Sequence, residues 1–406
     1  MIKIRQKEAG MQTQCFTSLK LNTMDAIKEC VEKCTLPSIS HVIGFSSISH
    51  DPKEIQICLK EILPNASFHI SSSCLGTMTQ EGVKKGDVIS LMFFEGKEAS
   101  FGTSIAQKEK GIRNIAKEVV KNSIKCIDRA GETPSAIWIT GSPGAEEKIL
   151  EGITSAVGSN VPVVGGSSGD NEINGKWFQV TNKAHSNEGL AVTSFFSENV
   201  ISASFHCGYN PSPYKGVITK SEGRTVYEID NRPAALVYNE WTGNRFADFL
   251  GAYNTILSES GLFPLGRKAG EIAEIPYYKL SHPESVDETN RITFFTDIKE
   301  GEEVVLMEGD VEELIKRSGK AINSAMKVSG LEPNEITGCL MTFCAGCMLT
   351  LDFRMDEAFA EISQYLPSHI PLLAGFTFGE QGQLVEGENA HGNLMFSVVL
   401  FSNKRI

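Results

Sequence analysis

Cys344 and Cys347 stand at CxxC spacing inside the apolar run MTFCAGCML, residues 341–349. A thioredoxin-type pair needs its first cysteine at a helix N-terminus, where the dipole lowers the thiol pKa. Here a strand pattern precedes Cys344, and the following MLTLDFR is not a strong helix start. A zinc knuckle needs a second pair, and Cys30 and Cys34 are i, i+4 on a helical pattern in another part of the chain. Covalent haem attachment needs His after the second cysteine, and the chain has Met348. The plain reading is a strand end turning through Gly346 with two thiols as small apolar fillers; the sharper one is a solitary reactive Cys344.

Other residues admit a chemical and a plain reading side by side. In VVGGSSGDN, Gly165 and Gly166 could present backbone amides to an anion, but the GxxxxGK[ST] and GxGxxG spacings are lacking and a tight turn suffices. Asp170 and Glu380 follow similar glycine turns and could hold an amine; two surface carboxylates explain them as well. Among eight histidines, His206 on an apolar strand and His391 at the entrance to the last strand could ligate a haem iron or a metal, or simply form hydrogen bonds. No GxSxG, HExxH, DxDxDG or kinase motif is present.

The elements that position these residues follow from periodicity. Residues 23–35, 52–63, 111–131, 310–328 and 355–366 read as helices, with Thr23 and Asp310 as caps. Runs such as HVIGFSS, SFHISSS, DVISLMFFEG and SAIWITG read as strands, giving a mixed α/β class. KWFQVTN, GLAVTSFFS and VISASFHCG suggest an antiparallel meander, and RITFFTDI with EEVVLMEGD a strand pair. The texture changes after residue 175, and the boundary falls near residue 225, after the meander, so the expected organisation is an extension over 1–22 and modules over 23–225 and 226–406.

One pattern recurs. SAIWITGSPG, a helix, Pro162 and VVGGSSGD are matched by GCLMTFCAGC, a helix, Pro371 and LLAGFTFGE, with residues 41–76 as a looser third copy. Such βαβ units put their strand-end loops on one sheet edge, where ligands bind. Cys344, Gly346, Gly375 and Gly379 should therefore gather, as should Pro143 and Gly144 with Gly165, Gly166 and Gly169.

Composition narrows the classes. With 406 residues, 41% of them hydrophobic, the chain can bury a large core or two medium ones. A net charge of -12 disfavours nucleic acid and anionic lipid. No stretch reaches the roughly 18 apolar residues of a membrane span, and the charged start lacks a signal-peptide core, so a cytoplasmic protein is expected. Ten scattered cysteines should be free thiols, with Cys30, Cys58 and Cys126 as helical fillers.

The ordered series SSSCLGT (71–77), PVVGGSSGD (162–170), GLAVTSFF, FPLG, DIKEGEEVVLMEGD, TFCAGC (342–347) and PLLAGFTFGE (371–380) resembles the FIST sensory proteins, with an N-terminal FIST_N and a C-terminal FIST_C module. The resemblance implies a bacterial cytosolic input module that binds a small ligand and signals to a separate partner, often a histidine kinase or a chemotaxis or cyclic-dinucleotide component. Some members bind b-type haem and sense nitric oxide, and others are proposed to bind amino acids or similar metabolites. A eukaryotic branch carries an F-box; the short segment before the first helix leads us to expect no fused F-box or kinase here.

Residue by residue, Cys344 and Gly346 match the family's Ser-Cys-Ala-Gly-Arg stretch, with Phe343 for Ser and Cys347 for Arg. Losing that arginine removes a bidentate partner for an acidic ligand. Gly375, Phe376, Gly379 and Glu380 match the Gly-Phe…Gly-Glu turn. His391 matches the His of a His-Asn-x-Thr pattern in which Gly392 and Leu394 replace Asn and Thr. The expected ligand residues are Cys344, Gly346, Gly375, Phe376, Gly379 and Glu380, with Cys74, Gly165, Gly166 and Asp170 in the first half. The rival readings are a nitric oxide sensor with His391, or secondly His206, on haem iron; an enzyme using Cys344 with His391 or His369 as base; and a scaffold that binds only protein.

Overall fold

The computed structural model describes residues 10–272 and 274–406; residues 1–9 of the expected extension lie outside the described residues. Three copies of one unit account for most of the chain. The first runs β1 (Thr13–Ser18), α1 (Thr23–Lys33), β2 (His41–Ser46), α2 (Pro52–Ile62), β3 (Ser67–Ser72), a hairpin of β4 (Gly76–Thr79) and β5 (Gly82–Lys85), and β6 (Ile89–Phe94). The second runs β7 (Ala99–Gln107), α3 (Ile112–Lys125), β8 (Ala136–Gly141), α4 (Glu146–Val157), β9 (Val163–Ser167), a hairpin of β10 (Gln179–Thr181) and β11 (His185–Ser186), and β12 (Gly189–Ser197).

The third copy opens with β13 (Asn199–Cys207) and is interrupted by an insert. The insert comprises β14 (Asn210–Glu222), β15 (Thr225–Ile229), β16 (Arg232–Pro233), α5 (Ala234–Trp241), β17 (Asn254–Thr255), β18 (Leu265–Ile272), β19 (Ile275–Ser281), β20 (Pro283–Val286), β21 (Ile292–Phe294) and β22 (Glu303–Glu308). The copy resumes with α6 (Val311–Ser329), β23 (Ile336–Cys344), α7 (Ala345–Leu351), α8 (Met355–Tyr365), β24 (Leu372–Thr377), a hairpin of β25 (Glu380–Gln383) and β26 (Asn389–Gly392), and β27 (Met395–Arg405).

The class is the expected mixed α/β, with six-stranded sheets ordered β1-β6-β2-β3-β10-β11, β7-β12-β8-β9-β25-β26 and β13-β27-β23-β24-β4-β5. Each has one parallel pair: β2/β3, β8/β9 or β23/β24. Each copy gives its hairpin to another copy's sheet, so the three close into a cycle. The looser third copy expected over 41–76 is a full one, and β1, from within residues 1–22, is its edge strand, paired with β6.

Two strand pairings differ from the sequence reading. KWFQVTN, GLAVTSFFS and VISASFHCG do not form a meander: β10, β12 and β13 enter three different sheets. Turn residues report where the chain reverses but not which sheet edge receives the next strand. RITFFTDI and EEVVLMEGD do not pair either, since β21 lies between β15 and β20 while β22 lies between β14 and β18.

The inner faces of the three sheets share one core. Phe45, Met92 and Phe94 of the first copy meet Trp138 and Phe195 of the second and Leu340 and Phe401 of the third. The Phe401 ring centroid is 5.1 Å from Phe94 and 5.4 Å from Phe195. Each such ring contributes about 1.5–3 kcal/mol by leaving water. Helices cover the outer faces through periodic apolar stripes such as Leu314, Ile315, Ala321, Ile322 and Ala325 of α6. Asp310 caps that helix by accepting from Glu313 N at 2.9 Å, and Gly330 ends it with φ 61°. At α1 the cap is Asn22 rather than Thr23. Cys30 and Cys58 are buried fillers as expected, whereas Cys126 is exposed.

Among the described residues no helix is long and apolar enough to cross a membrane.

Candidate functional site

A cavity of about 640 Å³ opens where the second and third copies meet the insert. Its floor is the end of β23 with α7, from Cys344 and Gly346 to Thr350, beside Pro143, Gly144 and Glu146 of the β8–α4 loop. Thr377 and Phe378 after β24, Asn393 before β27, and Ile173 and Trp177 form the sides. The insert supplies the roof with Arg224, Leu257, Ser258, His282, Glu284 and Phe295. Gathering Pro143 and Gly144 beside Cys344 and Gly346 follows from the shared strand-end geometry of the copies.

Cys344 ends β23, and α7 begins at the next residue. This corrects the expectation that no helix follows: the apolar stretch 345–351 coils because it buries Ala345, Cys347, Met348 and Leu351 on one side. Burial pushes the Cys344 thiol up, but hydrogen bonds from the Cys347 thiol and from the amides of Cys347, Leu394 and Gly346 outweigh it and bring it down to about 7. Cys347 moves the other way, raised well above the ordinary thiol value by burial and by the neighbouring Cys344. Glu380 lies behind Cys344, fully buried, accepting from Thr377 Oγ1 at 2.8 Å and Met395 N at 3.2 Å. Burial and the adjacent sulphur hold its carboxyl well above the carboxylate range.

Glu146 opens α4 and organises the opposite corner. Its Oε1 accepts from Gly144 N and Ser167 Oγ, both at 2.8 Å, and its Oε2 from Arg224 Nη2 at 2.6 Å. Burial pushes this carboxyl up, yet the charges of His391 and Arg224 and those hydrogen bonds hold it at about 2. Arg224 also lies 3.5 Å from Glu147 and 3.6 Å from Asp297. Glu284, on the roof, is raised by burial despite Arg224. Three carboxylates around one guanidinium, with a fourth nearby, make this corner acidic.

Of the ten residues expected to bind ligand, Cys344 and Gly346 line the cavity and Glu380 supports Cys344 from behind. The others have structural work of their own. A Cβ on Gly375 would lie 2.4 Å from the Phe45 ring, so only glycine lets the first and third sheets approach there. Gly165, at φ +151°, would put a Cβ 1.9 Å from Ile139 O. Gly166 packs on Thr377, Gly379 on His391, and Phe376 edge-on to Phe343. Cys74 bonds its N–H to Phe376 O at 3.0 Å, and burial lifts its thiol to about 12. The Asp170 carboxylate accepts from the amides of Glu172, Ile173, Asn174 and Lys176 at 2.5–3.2 Å, fixing the loop that leads to Trp177.

His391 does not line the cavity. Its Nδ1 faces Glu380 O at 3.1 Å and Gln381 Nε2 at 3.2 Å, and its Nε2 faces Phe295 O at 3.4 Å. With both nitrogens engaged, the ring does not fit the part of an axial haem ligand. His206, largely out of water and depressed to about 4 by burial and Arg317, sits on β13 outside the cavity. His369 is exposed. Among the described residues no group of three or more His, Cys, Asp or Glu is arranged to hold a metal ion.

Sequence reasoning missed Arg224, His282, Glu284 and Asn393. His282 donates from Nε2 to Leu257 O at 3.0 Å, and burial depresses it to about 4. Asn393 carried the one available signal, a Gly-Asn pair just before an apolar strand.

Residues 40–232 match the FIST N domain and residues 234–383 the FIST C domain. A protein of Methanocaldococcus jannaschii, "Uncharacterized protein MJ1623", is 23% identical over 306 residues, covering 68% of this chain and 56% of that one. The chain thus spans about half the length of this curated relative. A crystal structure of cyanuric acid hydrolase from A. caulinodans aligns over 96% of this chain and 98% of its own at 9% identity, with a TM-score of 0.35.

Proposed function

Because the chain belongs to the FIST family, whose domains are associated with signal transduction through sensing of small ligands, we propose that it is an input protein that binds a small molecule in the cavity around Cys344 and signals to a separate partner such as a histidine kinase. The observation that carries this reading is the 640 Å³ volume itself, enclosed between the three-copy body and the insert. A ligand touching both can shift their relative position, provided its affinity differs between the two arrangements.

The cavity's acidic corner disfavours a purely anionic ligand. Binding is reversible and without turnover in this reading. A thermal-shift screen of amino acids and other metabolites tests it, with Ser258→Trp, on the exposed part of the roof, as a blocked control. Compounds that raise the melting temperature of the native chain and not of the blocked one support it. A screen in which every active compound stabilises both chains equally sinks it. Kinase autophosphorylation with and without such a compound then tests the partner.

A further inference from the structure

We propose that Cys344 and Asn393 form a site that captures the aldehyde or ketone group of a ligand as a reversible thiohemiacetal. This rests on the cavity being the ligand site and adds the chemistry by which it holds its ligand.

Both side chains line the cavity. Asn393 is only 3% exposed, and its Oδ1 accepts from His282 N at 3.2 Å, which fixes the amide. Its Nδ2 is buried with no hydrogen-bond partner. Leaving such a donor unpaired is costly, so it calls for an acceptor oxygen supplied from the cavity. The next residue, Leu394, is fully buried and left-handed at φ +55°, strained for a branched side chain and held so by the turn between β26 and β27. That turn brings the Leu394 amide to the Cys344 sulphur. At Gly346 a Cβ would lie 2.9 Å from Leu394 Cδ2, 3.5 Å from Cys344 Sγ and 4.0 Å from His282 Cε1, so only glycine lets the Leu394 turn pack this closely on the sulphur beneath the roof.

A nucleophilic sulphur and an orphan amide donor together ask for an electrophilic carbon joined to an acceptor oxygen. A carbonyl group offers both on adjacent atoms. In the step, the thiol releases its proton to water in the cavity, the sulphur adds to the carbonyl carbon, and a C–S bond forms. The C=O π pair moves to oxygen, which hydrogen-bonds Asn393 Nδ2 and takes a proton from water in the cavity, so the proton released by the thiol is returned. Thiol plus carbonyl gives thiohemiacetal; nothing leaves, and the reverse step restores both.

The test uses the full chain with [1-13C]propionaldehyde followed by 13C NMR, with iodoacetamide labelling of Cys344 read by peptide mass. The expected result is a stoichiometric protein-bound sp3 carbon signal, lost in Cys344→Ser, and protection of Cys344 from alkylation. Asn393→Asp keeps the acceptor for His282 N but removes the donor, and should weaken capture roughly tenfold while Cys344 still alkylates. No sp3 signal in the native chain, or one that survives Cys344→Ser, overturns the proposal; equal capture by Asn393→Asp overturns the role of Asn393. Should metabolites still stabilise the native chain selectively while no adduct forms, carbonyl capture fails and the sensor reading stands.

Discussion

Arg224 Nη2 lies 2.6 Å from Glu146 Oε2, tying the turn between β14 and β15 in the insert to the first turn of α4 in the second copy. The two side chains are 24% and 6% exposed, so the pair is mostly withdrawn from solvent and little screened. It closes the acidic corner of the cavity and fastens roof to floor.

Arg224→Ala should therefore destabilise the chain by about 3 kcal/mol, because Glu146, Glu147 and Asp297 lose their common cation. The sign of the pH dependence follows from Glu146, whose folded pKa of about 2 lies below its ordinary 4.5. Its stabilisation is present above about pH 4.5 and lost as pH falls through 2, so the gap between native and variant should narrow over that window. Urea melts between pH 7 and 3 measure it; a gap independent of pH contradicts the assignment.

Iodoacetamide labelling of Cys344 should rise with pH around a midpoint near 7, while Cys74, lifted to about 12, stays slow. Cys347→Ala removes the thiol hydrogen bond and should move the midpoint up by about one unit. Because the folded pKa of Cys344 is depressed from 9.0, its contribution to stability is full above pH 9 and is lost as pH falls through about 7. Labelling in which all ten thiols react alike argues against a distinct Cys344.

Acid should unfold the protein through its buried neutral histidines. His41 stacks on Phe101, His69 bridges Thr140 and Thr193 at 2.7 and 3.0 Å, and His282 holds Leu257 O. Burial lowers them to about 3, 3 and 4 from 6.5. Their stabilisation is present above about pH 6.5 and drains away as pH falls toward those values. With all three protonating only in the unfolded chain, stability should drop by up to about 4 kcal/mol per pH unit between pH 6 and 4. Chemical denaturation across that range checks the slope, and a flat profile rejects it.

Gly375→Ala and Gly165→Ala should each cost about 2–3 kcal/mol or more, since the new methyl meets the Phe45 ring or the Ile139 carbonyl. Gly387→Ala, at φ +89° with open space around its Cβ, supplies a control for backbone strain alone and should cost about 1 kcal/mol. Melting temperatures in that order bear the packing argument out; three equal shifts refute it.

Helices 23–33, 52–62, 311–329 and 355–365 were legible because caps and 3.6-residue stripes are local properties of sequence. So was the repeat, since each copy writes strand, helix, proline and glycine turn in the same order. Glu380 and Cys344 were legible as strand-end residues. The meander over 176–208 misled because consecutive strands with turns between them usually pair, and here a closed cycle of exchanged hairpins sends them to separate sheets.

The sequence by itself determined the class, the three-fold unit, the family resemblance and the thiol at the end of β23, all encoded within windows of a few dozen residues. Tertiary structure alone decided which glycines separate sheets rather than touch ligand, and that His391 spends both nitrogens on its surroundings. It also decided that Arg224, His282 and Asn393, spread over some 170 positions of chain, face the same cavity as Cys344. Such contacts depend on how an insert folds back over its host, and no local period or turn signal records that distance.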